Sequence, residues 1–176
     1  MSILKVARMG HPVLRATTRA LERSEIKSAV IQRLIDDMID TMSEYHGVGL
    51  AAPQVHEGVR LFVASLDAGE DDEQSDPIAV INPEITFVGT DVVEDWEGCL
   101  SIPDIRGRVP RAREIIVRAF DRTGSRIELN AHDFPARVIQ HEADHLDGVL
   151  FFDRMKSLES MTFLDEYARY WRKTDD

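Results

Sequence analysis

The sequence predicts a single α+β domain, with short, mostly antiparallel strands around a central helix that carries a His-Glu-Ala-Asp-His motif. Three observations predict it. An early stretch has the apolar spacing of an amphipathic helix, the middle of the chain holds short runs rich in branched residues, and a second helical stretch is bounded by a proline and a glycine. No internal repeat or linker divides residues 1–176, a length that suits one domain with a real core.

The N-terminal amphipathic helix is expected over Ser24 to Tyr45. Ile26, Val30, Leu34, Ile35, Met38, Ile39 and Met42 recur at three- and four-residue intervals, which puts them on one face, and that face reads as core. Ser24 is the expected N-cap and Gly47 the stop. Strand signals follow at Val59 to Ser65 and Ile78 to Val88. Between them, Asp67 to Asp76 is acidic with no basic residue; its spacing fits no calcium loop, so it reads as a solvated connection. Glu114 to Phe120 and Arg126 to Asn130 flank Asp121-Arg122-Thr123-Gly124, a hairpin signal. The central helix should start near Asp133, accept Pro135 in its first turn, run through Leu146 and stop at Gly148. A C-terminal helix is expected from Leu158 to Trp171, carrying Phe163, Leu164, Tyr167, Tyr170 and Trp171.

Composition narrows the function classes. With 43% hydrophobic and 30% charged residues the chain reads as an ordinary globular protein. A net charge of −11 argues against general nucleic-acid binding, which needs clustered Lys and Arg, but leaves room for a local contact with a ribonucleoprotein. Met1 to Leu14 contains no signal-peptide h-region, and no window approaches the roughly 18 apolar residues that span a bilayer, so a cytoplasmic location without membrane contact is expected. Cys99 is the one cysteine, which excludes an internal disulfide. A lone cysteine is more often a small buried hydrophobe than a reactive group, so its neighbours must decide.

The strongest local motif is His141-Glu142-Ala143-Asp144-His145. Histidines four apart on a helix project from one face and can share a metal ion, and Glu142 between them can take a proton from a water activated there. Polar and imidazole groups among apolar neighbours such as Val138-Ile139 and Val149-Leu150 need a partner, and a cation supplies one. Catalytic sites usually have three protein ligands and one open position. No histidine follows His145, so the third ligand is sought upstream. Cys99, in Glu97-Gly98-Cys99-Leu100-Ser101, is the best candidate: a thiolate suits a transition metal, and the adjacent glycine permits close approach.

Three separated segments together resemble the peptide deformylases: Gly47-Val48-Gly49-Leu50-Ala51-Ala52-Pro53-Gln54, Glu97-Gly98-Cys99-Leu100-Ser101 and Gln140-His141-Glu142-Ala143-Asp144-His145-Leu146. They occur in the family's order, and the resemblance extends from Arg8 through Phe152. It implies a hydrolase that removes the formyl group from formyl-methionine at the start of newly made polypeptides. Cys99, His141 and His145 would hold the metal, Fe(II) in the cell, with Zn(II), Ni(II) or Co(II) compatible with the same donors. Glu142 would shuttle the proton, and the Gln54 side-chain amide and the Leu100 backbone N–H would donate to the oxyanion. Gly49 would let an extended substrate backbone lie close. Val48 and Val138 are placed to line an apolar methionine pocket, with core packing as the equal alternative. Arg106 could meet the peptide backbone, although a solvated surface arginine is the simpler reading.

In some members the C-terminal helix is strongly basic and is thought to dock at the ribosome; here Arg154 to Asp176 carries five basic and five acidic residues, which leaves at most a transient contact. Two other functions compete with deformylation. A zinc peptidase could share the histidine helix, but Cys99 as third ligand favours deformylation. A non-catalytic metal-binding protein would have no use for Glu142, Gln54 or Gly49.

Overall fold

Two helices stand where apolar periodicity predicts one. The computed structural model describes residues 2–66 and 76–172, so nearly all of the acidic run expected to be a solvated loop lies outside the described residues. Helix α1 (Arg23–Ile26) ends after one turn, and α2 (Ala29–Glu44) starts afresh with Ser28 as its N-cap, the hydroxyl accepting from Ile31 N at 3.3 Å. Glu25 reaches back to Glu22 N at 2.8 Å and closes the short helix, so the cap is Ser28 rather than Ser24. The break also changes the face: Val30 is 76% exposed, whereas Ile31, Ile35, Met38 and Met42 are buried.

Helix α2 covers one face of a five-stranded antiparallel sheet. Its strands are β1 (Gly49–Ala51), β2 (Leu61–Ala64), β3 (Ile78–Phe87), β6 (Glu114–Phe120) and β7 (Arg126–His132), hydrogen-bonded in that order. Strand periodicity sorts the apolar residues between two cores. Leu61 and Val63 join the α2 side, and Phe62 joins the opposite one with Val80, Ile115 and Val117. β3 carries a bulge between Ile81 and Glu84, where Pro83 has no N–H for the ladder and Asn82 turns to exchange two hydrogen bonds with the Leu21 backbone. The hairpin joining β6 and β7 forms as expected, with Asp121 Oδ1 accepting from Thr123 N and Ser125 N.

A second sheet contains β4 (Val92–Cys99), β5 (Ile102–Ala112) and the two-residue β8 (Thr162–Phe163). Helix α3 (Asp133–Leu146) packs on the five-stranded sheet and also meets β5. Every residue from Ala136 to Leu146 is buried, as a helix covered on all sides requires. Gly148, at φ +72°, ends it where a Cβ would lie 2.6 Å from Arg15 O.

After α4 (Phe151–Arg154) the expected long C-terminal helix is not continuous. Leu158–Ser160 is a 3₁₀ turn, Thr162–Phe163 pairs with Ile105 and Arg106 as β8, and only α5 (Leu164–Tyr170) is helical. Thr162 and Phe163 suit a strand, and edge pairing with β5 overrides helix periodicity there. Among the described residues no helix is long and apolar enough to cross a membrane.

Candidate metal centre and cleft

Cys99 ends β4, while His141 and His145 lie one turn apart on α3; the two elements meet so that one donor atom from each residue lies within 4.8 Å of the others. All three side chains are buried. Sγ of Cys99 is 3.2 Å from Nε2 of His145. His141 gives its Nδ1–H to Glu97 Oε2 at 2.9 Å, which fixes the tautomer and leaves Nε2 free to ligate. Nδ1 of His145 is buried without a partner.

Glu97 was not among the residues singled out from sequence, yet it anchors a buried ion-pair lattice. It accepts from Arg111 Nε at 2.8 Å and Nη2 at 3.0 Å, from Arg137 Nη1 at 2.8 Å, and from His141. Arg111 continues to Asp144 at 2.6 Å, and Asp144 accepts from Arg154 at the surface. The spacing held a clue: Glu97 lies two residues before Cys99 on a strand, and Arg137 four before His141 on a helix, which puts each on its neighbour's face. Nothing in the sequence points to Arg111.

Electrostatics at the centre favour a cation. Burial opposes charge on His141, but its hydrogen bonds with Cys99 and Glu97, with Glu142 nearby, outweigh this and raise its proton affinity well above the usual imidazole range. Burial, reinforced by His141 and Arg111, pushes His145 well below that range. Burial would also raise Glu97, yet hydrogen bonds from His141 and Arg111 prevail and hold it at about 2. A soft sulfur and two imidazoles suit a divalent transition metal.

Glu142 projects into the same cleft. Burial lifts its carboxyl to about 7, and Oε2 has no hydrogen-bond partner. Gln54 is held by three neighbours: its Oε1 accepts from Ala51 N at 2.8 Å, and its Nε2 donates to Ser101 Oγ at 3.2 Å and contacts Cys99 Sγ at 3.5 Å. Gly49 has a tighter constraint than an approaching peptide, because a Cβ there would lie 2.4 Å from Glu142 Oε1.

The cleft has a volume of about 780 Å³, and Gly49, Gln54, Cys99, Leu100, His141 and Glu142 line it. Val48 lines its mouth at 40% exposure and is not core, whereas Val138 lines the cleft while packing in the α3 core. Arg106, half-buried, also lines it, and its guanidinium lies against Gly98. His145 sits behind this lining, next to Cys99.

Residues 3–161 match the family model described as polypeptide deformylase. The chain belongs to the polypeptide deformylase family. Peptide deformylase 2 of Nostoc sp. is 44% identical over 168 residues, covering 94% of this chain and 93% of that protein. The crystal structure of peptide deformylase from Thermotoga maritima superposes with a TM-score of 0.81 at 37% identity, covering 89% of this chain and all of that one. A class I type b peptide deformylase from Acinetobacter baumannii, solved with Met-Ala-Ser bound, gives a TM-score of 0.81 at 35% identity, covering 88% of this chain and all of that one. The deformylase is thus a metal-dependent hydrolase that removes the formyl group from N-terminal formyl-methionine in protein N-terminal processing. The peptidase and metal-storage alternatives are set aside.

Proposed function

We propose that residues 1–176 form one catalytic domain in which Cys99, His141 and His145 hold a single metal ion and Glu142 moves the proton. The observation that carries this reading is the convergence of three buried donors within 4.8 Å of one another in a cleft that also presents the Glu142 carboxylate. When bound, the ion supplies Lewis acidity, lowering the pKa of water and polarising the formyl carbonyl.

The substrate lies extended between β1 and β4, edge strands of the two sheets, alongside Gly49 and Gly98. Val48 and Val138 border the methionine side chain, and Arg106 meets the peptide backbone. Glu142 removes one proton from the attacking water as the oxygen adds to the formyl carbon. The Leu100 N–H and the Gln54 amide then donate to the oxyanion, and the long Gln54 contact with Cys99 is the one given up. The C–N bond breaks as Glu142 passes its proton to the amine, and formate leaves.

Fe(II) is the metal proposed for the cell, on the family resemblance, since the donors accept Zn(II), Ni(II) and Co(II) as well. Metal analysis of anaerobically purified, fully active protein showing zinc alone would overturn iron. The substrates are nascent formyl-methionyl chains, met in the cytoplasm through at most a transient ribosome contact. Equal, weak co-sedimentation with ribosomes by the full chain and a chain lacking residues 158–176 would dismiss the tail as an anchor.

The central test is formate release from formyl-Met-Ala-Ser by metal-loaded protein. The parent should turn over, Glu142→Ala should bind metal without turnover, and Cys99→Ala should lose metal. Turnover by Glu142→Ala would remove the proposed proton carrier.

A further inference from the structure

The two oxyanion donors of the proposed reaction sit on separate elements, and Ser101 joins them. Leu100 and Ser101 form the two-residue reversal between β4 and β5, where Cys99 pairs with Ile102. Gln54 lies in the 3₁₀ turn Ala52–Val55 that follows β1. Ser101 is fully buried, and its hydroxyl meets the Gln54 amide at 3.2 Å.

Hydrogen-bond chemistry fixes which way that amide faces. A backbone N–H can only donate, so the Gln54 atom 2.8 Å from Ala51 N is the carbonyl oxygen. The amide nitrogen then faces Ser101 and Cys99, and it carries two N–H groups. One is given to Ser101 Oγ. The other is directed at Cys99 Sγ, 3.5 Å away, on the side of the proposed metal centre. The backbone holds both partners in place: Ala7 N donates to Gln54 O at 2.7 Å, and Met9 N donates to Ser101 O at 2.8 Å. One short N-terminal stretch thus clasps both elements. A free glutamine samples several rotamers, whereas a donor stabilises a developing charge most when it is oriented beforehand.

We propose that Ser101 is a positioning residue: by accepting one N–H of the Gln54 amide, its hydroxyl aims the other at the formyl oxygen. A single two-residue turn then supplies the Leu100 donor directly and orients the Gln54 donor through the next side chain. The inference rests on the proposed function and deepens it.

The test follows formate release from formyl-Met-Ala-Ser by the metal-loaded full chain, with metal measured on every sample. Ser101→Ala should lower kcat by about tenfold, part of the roughly 100-fold or more that loss of a whole donor costs, and leave KM and metal content unchanged. The product Met-Ala-Ser, which lacks the formyl oxygen, should bind this variant and the parent equally. In a Gln54→Ala background the same change should cost less than about twofold, because the amide that Ser101 orients is gone. Ser101→Thr and Ser101→Val add the same methyl group and differ only in the hydroxyl, so packing strain cancels between them, and the first should be faster by about tenfold. An equal loss in both backgrounds, equal rates for the Ser101→Thr and Ser101→Val proteins, or a change in KM or product binding would overturn the positioning role while leaving deformylation intact. No formate from the metal-loaded parent would overturn the proposed function and the positioning role with it.

Discussion

Gly49→Ala tests whether the glycine serves the peptide or the proton carrier. A Cβ at this position would lie 2.4 Å from Glu142 Oε1, 2.7 Å from Cδ and 2.8 Å from Cγ, where ordinary contact begins at 3.4 Å. The carboxylate must therefore retreat by about 1 Å, and a misplacement of that size costs on the order of 100-fold in rate, or about 2.7 kcal/mol of transition-state stabilisation. The loss should fall on kcat, with metal content unchanged, because the three atoms nearest the new methyl group all belong to Glu142. Steady-state formate release from formyl-Met-Ala-Ser, with metal measured on the same sample, reads both quantities. Adding Gly49→Ala to Glu142→Ala should cost nothing further, since the group it displaces is already gone. A rise in KM with kcat preserved would refute the reasoning and return Gly49 to the role of admitting the peptide backbone.

The buried lattice and the metal supply the other expectations. Glu97→Ala leaves Arg137 buried without its carboxylate and Arg111 with Asp144 alone, so it should cost about 3–5 kcal/mol in urea unfolding, and the milder Glu97→Gln should weaken metal binding by about 10–100-fold in a chelator competition. Glu97 is held at about 2 against an ordinary 4.5. Its contribution to stability is thus complete above pH 4.5 and lost as pH falls toward 2, and the parent's unfolding free energy should fall more steeply than that of Glu97→Gln across that window. Removing the metal with a strong chelator should lower the melting temperature and abolish formate release, and returning Fe(II) under anaerobic conditions should restore both. Ile139→Ala, at a fully buried position between α3 and the sheet, should cost about 2–5 kcal/mol without changing metal content.

Legibility from sequence followed the range of the interactions. The β6–β7 hairpin and the span of α3 could be read directly because turn chemistry, proline and glycine act locally. The single helix expected over Ser24 to Tyr45 was wrong in a local way too: Ser28 outcompetes Ser24 as cap, a choice that periodicity alone does not see. β5 was hidden, since Pro103, Gly107, Pro110 and four charged side chains give it no strand signature, and its partners β4 and β8 define it. The same division holds at the site. Motif spacing brought out Cys99, His141, His145 and Glu142, but Arg111 became visible only once β5 was laid beside β4 and α3.

The lattice also explains why the centre calls for a cation although the cleft is rich in guanidinium. Glu97 and Asp144 already consume Arg111, Arg137 and Arg154 through direct hydrogen bonds. Glu142 remains unmatched, as does Cys99 in the thiolate form that binds metals. In the proposed reaction the net charge of this buried volume never changes. Water gives its proton to Glu142, and the negative charge moves from that carboxylate to the formyl oxygen between Gln54 and Leu100. Burial, which lifts the Glu142 carboxyl to about 7, reduces the cost of the first half of that transfer. Two fixed hydrogen-bond donors reduce the cost of the second, because they are oriented before the charge arrives. Moving Glu142 by about 1 Å breaks the first half alone, so the effect expected for Gly49→Ala is a loss of rate with the ligands left in place.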